Sequence, residues 1–235
     1  MRACDDERLA EWFLGPGGEP PALDDEGRLD LDALDLGRFE ARARILHPIW
    51  EDLSLAGDDA PWDECWDPRW GRGRPRASFP ARGLKWHDLA EERGLDFGTA
   101  TTLADLASTF VGGRWPRRLC GPEDGLLELD CLHHLERLLR PYAGDGCELH
   151  YPASRTTDGR PRCFEGGPGD ALRLLDGPGL TGSPTLWADR GRRWVLLSHP
   201  DLAWTLCAGP QALVDDLLVD KPLDGVVLEG VARLG

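Results

Sequence analysis

Five side chains able to ligate a metal lie between residues 131 and 150: Cys131, His133, His134, Cys147 and His150, spaced C-x-H-H and then C-x2-H. A zinc ion takes about four such nitrogen and sulfur ligands in a tetrahedron. Cys131 and His134, one helical turn apart, can share an ion, and Cys147 with His150 would complete the set for a metal-dependent hydrolase. A strand over CELHY (147–151) would send Cys147 and His150 to opposite faces, and His133 falls on the solvent side of its helix. The plainer expectation is a buried Cys131, a helix-flanking His134 and an exposed His133. No cofactor is therefore expected, and zinc is the alternative.

A second group is the loop Trp62, Asp63, Glu64, Trp66, Asp67 and Trp70, where indoles alternate with carboxylates. Such a surface suits a protein contact, or a sugar platform whose acids at 63–67 act as a carboxylate-based hydrolase. The structural alternative is that the indoles anchor a proline-rich loop onto the domain. Just downstream, Arg72-Gly73-Arg74-Pro75 matches the core of an AT-hook, which lies extended in a narrow minor groove. That match is four residues long in a chain with 25 Arg, and nucleic acid is an unexpected partner. Walker A, G-x-G-x-x-G, H-E-x-x-H, G-x-S-x-G and C-x-x-C patterns are missing. Ser198-His199-Pro200-Asp201 holds the residue types of a catalytic triad, but neighbours in a tight turn rarely converge.

The elements that must position these groups follow from periodicity. Residues 9–14 predict a short helix, and 31–50 a helix ended by Pro48. Residues 56–83 carry four Pro and three Trp, so they read as an irregular loop that the domain must pin. Helices are expected over 84–94, stopped by Gly94, and from Thr102, where Asp105 completes a variant capping box. In 128–140, Cys131, Leu132, Leu135, Leu138 and Leu139 share one helical face. Beyond residue 146 short strands take over: 147–151, 193–198, an alternating 202–206 and 225–230, with helices at 169–177 and after Pro210. DLASTFVGG (105–113) resembles DLAWTLCAG (201–209), but the first has helical spacing and the second alternates, so duplication is not inferred.

These expectations define an α+β fold. A helical lobe over 1–145 contains the Trp/Pro/Arg-rich loop, and a lobe over 146–235 has a small mixed sheet with one or two helices; the two could also form one continuous domain. The block SPTLWADRGRRWVLLSHPDLAWTLCAGPQALVDDLL (183–218), with PARGLKWHDLAEERGLDFG upstream, resembles a family of uncharacterised proteins common in actinobacteria. That resemblance implies a bacterial, cytoplasmic origin and transfers no activity.

Charge narrows the function. Lys and Arg number 27 against 42 Asp and Glu, a formal charge of −15 in 235 residues, which opposes general attraction to nucleic acid or an anionic membrane. No apolar run is long enough to span a bilayer, and MRACDDERLAEW has acids where a secretion signal needs basic residues. Seven cysteines at irregular spacing suit reduced thiols. The expected function is a non-catalytic acidic binder of another, basic protein, in the style of an immunity or antitoxin-like protein. The alternative is the metal- or carboxylate-dependent hydrolase.

Overall fold

The computed structural model describes residues 1–4, 8–15, 20–23, 29–55, 57–61, 80–122, 125–175 and 177–228. In chain order the elements are β1 (Arg2–Cys4), α1 (Arg8–Leu14), β2 (Ala41–Leu46), β3 (Ile49–Asp52), β4 (Ala81–Leu84), α2 (Trp86–Arg93), α3 (Leu103–Ser108) and β5 (Leu119–Cys120). There follow α4 (Leu129–Leu139), β6 (Cys147–Tyr151), β7 (Arg162–Gly166), α5 (Asp170–Leu174), β8 (Leu186–Asp189), β9 (Val195–Ser198), β10 (Trp204–Gly209), α6 (Gln211–Val219) and β11 (Asp224–Val227).

Alternation in the Trp-containing block sets the centre of the molecule. Leu186, Ala188, Val195, Leu197, Leu206 and Ala208 enter one core, while Trp187, Leu196 and Cys207 enter the other. Strands buried on both faces read as near-continuous apolar runs. Asp189 fixes the β8–β9 turn: its carboxylate accepts the N–H groups of Arg193 and Trp194 at 2.5 and 3.2 Å. The large sheet has the order β1-β7-β6-β8-β9-β10-β2-β11, with every neighbouring pair antiparallel. A second sheet, β4-β3-β5, has three strands.

One face of the large sheet packs on α1, α2, α3 and two short 3-10 turns at 31–33 and 36–38; the other packs on α4, α5 and α6. This corrects the expected helical N-terminal lobe and small C-terminal sheet. The molecule is mostly sheet, with an eight-stranded antiparallel sheet, a three-stranded one and few helices. The large sheet draws strands from both sides of residue 146. The largest local difference is 31–50, expected as helix: it forms two 3-10 turns and then β2 and β3. Ala and Arg favour helix, but Ala43 and Ile45 alternate with Arg44 and Leu46 between β10 and β11, and that burial overrides propensity.

Local signals elsewhere act as expected. Gly94 ends α2 in the left-handed region, at φ 68°. Thr102 and Asp105 form the reciprocal capping box of α3. Cys131, Leu132, Leu135 and Leu139 of α4 are buried, and His133 and Arg137 are exposed.

Candidate functional site

The chain passes from the large sheet to the small one at His47-Pro48, between β2 and β3. Pro48 has no N–H to continue the ladder, and His47 secures the corner. Its N–H donates to Ala203 O at 3.0 Å, its carbonyl accepts Trp86 Nε1–H at 2.8 Å, and Nε2 meets Thr205 Oγ1 at 2.9 Å. Across the corner, β11 pairs with β2 and β4 with β3, so Asp224 lies opposite Leu46 and Leu84 opposite Ile49. Lys85 offers no side-chain cap to α2; Asp224 accepts the Trp86 N–H at 2.7 Å and replaces it.

Between these edges and α4 lies a cleft of about 420 Å³, whose walls include Trp50, Lys85, Glu128, Asp130, Cys131, His134 and Asp224. Gly83 faces Trp50 across the ladder, and a Cβ there would come within 3.2 Å of the indole, so glycine lets the ring lie against β4. The indole N–H donates to Glu128 Oε1 and orients that carboxylate at the mouth of α4. Burial raises Asp224 above the ordinary carboxylate range, against the pull of the Trp86 N–H and Lys85. Glu128, Asp130, Asp224 and Lys85 thus bring charged side chains to a cleft with an aromatic wall.

Of the four residues proposed for zinc, Cys131 and His134 line this cleft. Cys147 and His150 do not join them: along β6, Cys147 enters the α4-side core, and His150 pairs with Leu186 of the opposite face. Burial pushes the Cys147 thiol up to about 12 and the His150 imidazole down to about 4. His134 Nδ1 lies 2.5 Å from Arg137 Nη2 and 3.6 Å from Asp220 Oδ1. Among the described residues, no group of three or more His, Cys, Asp or Glu side chains is placed to hold a metal ion.

Ser198-His199-Pro200-Asp201 is a turn. Ser198 Oγ contacts Thr205 Oγ1 at 2.7 Å, whereas His199 turns away, with Nε2 2.9 Å from Pro21 O.

Trp62, Asp63, Glu64, Trp66, Asp67 and Trp70, and the Arg72–Pro75 match, lie outside the described residues. The ends of that loop are described and firmly held. Pro61 bridges Pro116, Ala60 O accepts Arg117 N–H at 2.8 Å, and Pro80 O accepts Leu53 N–H at 2.8 Å.

Sequence reasoning missed Trp50, Lys85, Glu128, Asp130 and Asp224, because they come together only at a corner between two sheets. The signal that could have found them was Pro48 within an apolar stretch, read as a strand break rather than a helix end.

Comparison with known proteins gives no match among family models, curated proteins or solved structures. Among the described residues no helix is long and apolar enough to cross a membrane.

Proposed function

We propose that the chain is a non-catalytic acidic protein that binds a basic protein, as an immunity or antitoxin-like protein does, and that the corner cleft takes a Lys or Arg side chain of that partner. The carrying observation is the cleft itself, where the Trp50 indole stands beside the Glu128 and Asp130 carboxylates. A cation there gains attraction from the ring and charge-assisted hydrogen bonds from the acids. Half-exposed Leu129, between those acids, adds apolar contact. The chain's charge of −15 speeds encounter with a positive surface.

Two measurements test this. The protein encoded beside this chain is titrated by biolayer interferometry, and a dissociation constant below about 1 μM is expected; no binding at about 10 μM overturns the partner reading. The double variant Glu128→Gln/Asp130→Asn then locates the contact, with an expected loss of about tenfold or more. Unchanged affinity would remove the cleft while leaving the partner.

A metal-dependent hydrolase is the second reading, favoured by Cys131 and His134 lining the same cleft. Stoichiometric zinc in the purified protein, lost in Cys131→Ala, would establish it over the first.

A further inference from the structure

Arg44 sits in the middle of β2, opposite Leu206 of β10 on one side and Val226 of β11 on the other. By alternation its side chain shares the face of Leu46, whose core includes Trp204, Leu206 and Leu228. Arg44 is 0% exposed and Trp204 2%. A guanidinium has five N–H donors and no acceptor. Nη2 donates to the carbonyl of Thr99, while Nε and Nη1 have no hydrogen-bond partner among the described residues. The neighbouring indole N–H of Trp204 has none either, and the guanidinium carbon lies 5.7 Å from that ring. The guanidinium thus lies over the indole face in an apolar interior, and among the described residues Arg44 Nε, Arg44 Nη1 and Trp204 Nε1 have no acceptor. Leaving a charge buried and unpaired costs several kcal/mol.

We propose that Arg44 and Trp204 form an internal binding site for a carboxylate, entered beneath the 95–101 segment. A single positive charge with one extra neutral donor matches a monoanion better than a doubly charged phosphate. The segment above is thin. Residues 98–100 are exposed, Leu95 and Phe97 hold it to the core, and the Thr99 carbonyl is already on the guanidinium. A carboxylate entering there replaces or joins the Thr99 carbonyl and supplies the missing countercharge. This site is on the opposite face of the sheet from α4 and stands apart from the cation-binding reading of the corner cleft.

Acetate is the probe, titrated to 100 mM against chloride at equal ionic strength, with thermal unfolding of the full chain as readout. The expected result is a saturating rise of about 3 °C in acetate, with none in chloride. Arg44→Met keeps an unbranched apolar stem and removes the charge; it is expected to unfold above wild type in acetate-free buffer and to ignore acetate. The wild-type chain supplies an independent measurement. Amide hydrogen exchange over 95–101 should slow about fivefold in acetate, while that of α6 is unchanged. Equal responses to acetate and chloride, or equal responses of wild type and Arg44→Met, overturn the proposal. Should Arg44→Met fail to fold, absence of acetate protection over 95–101 in the wild type overturns it alone.

Discussion

The two sheets are held together by different physics. The centre of the large sheet, β8–β10, is buried on both faces, with Trp187, Trp194 and Trp204 almost fully enclosed. The small sheet shares that apolar core through Ile49 and Leu119 and adds a network of ion pairs. Arg118 donates from Nη1 to Glu51 at 2.6 Å and from Nε to Asp59 at 2.7 Å, Arg82 reaches the other Glu51 oxygen, and Arg117 pairs with Asp58. Burial alone would lower the Arg118 pKa, but the two carboxylates outweigh it and raise it. Apolar burial is non-directional and is not weakened by electrostatic screening, whereas ion pairs need both partners and weaken as they are exposed and screened. The small sheet, which frames the cleft and anchors the Trp-rich loop, should therefore open before the large one does.

The largest effect breaks that comparison directly. Arg118→Met leaves Glu51, 7% exposed, without its buried partner, and removal of one member of a buried pair costs about 3–5 kcal/mol. Amide hydrogen exchange should show lost protection in β3 and β5 with β8–β10 still protected. Leu196→Ala, in the middle of the large sheet, costs a similar 2–5 kcal/mol but should lower protection in both sheets together. If Arg118→Met destabilises both sheets equally, the two regions are one cooperative unit and the distinction fails.

An intermediate effect comes from His150, one of the polar groups buried inside the large sheet. Burial holds the His150 imidazole at about 4, against an ordinary 6.5. The neutral ring contributes stability that is present above the unfolded value and is lost as pH falls through 6.5 towards 4. Between pH 7 and pH 5 the loss is about 2 kcal/mol. His150→Leu should remove most of that slope in urea unfolding at the two pH values. An unchanged slope would assign the acid sensitivity to other groups, His199 first, since burial lowers that imidazole too.

A smaller effect, about 1 kcal/mol, is expected for Thr102→Ala, which deletes one half of the capping box and its 3.1 Å bond to the Asp105 N–H. Thermal unfolding should fall by a few degrees, with the exchange of both sheets unchanged.

What could be read from the chain divides along the same line. Caps, stops and alternation are local, so Thr102, Gly94, the apolar face of α4 and the strands at 147–151, 193–198, 202–206 and 225–230 were visible, whereas β7 and β8 were not. Ala41–Leu46 was not: its Ala and Arg residues carry a helical preference, and only its place between β10 and β11 makes it a strand. The cleft was half visible, through Cys131 and His134. Trp50, Glu128 and Asp224 are far apart in sequence and meet because Pro48 turns one strand into two sheets. Cys147 and His150 show the converse, since strand alternation already separates neighbours that composition groups together.

The smallest effect is the sharpest, because it uses the same carboxylate twice. Glu51 receives Arg118 on Oε1 and Arg82 on Oε2, the latter at 3.1 Å from Nε and 2.5 Å from Nη2. Arg82 has two contacts with Glu51 and Arg118 has one, so counting bonds would rank Arg82 first. Exposure reverses the order: the Arg82 side chain is 60% exposed and that of Arg118 7%. Water already solvates most of the Arg82 charge, and an exposed pair is worth about 0–1 kcal/mol. Arg82→Gln should therefore shift small-sheet protection by less than about 1 kcal/mol, and 1 M salt should erase the difference from wild type. A loss equal to that of Arg118→Met would mean that charge number, not burial, sets the strength of this network, and that the small sheet is held at its surface.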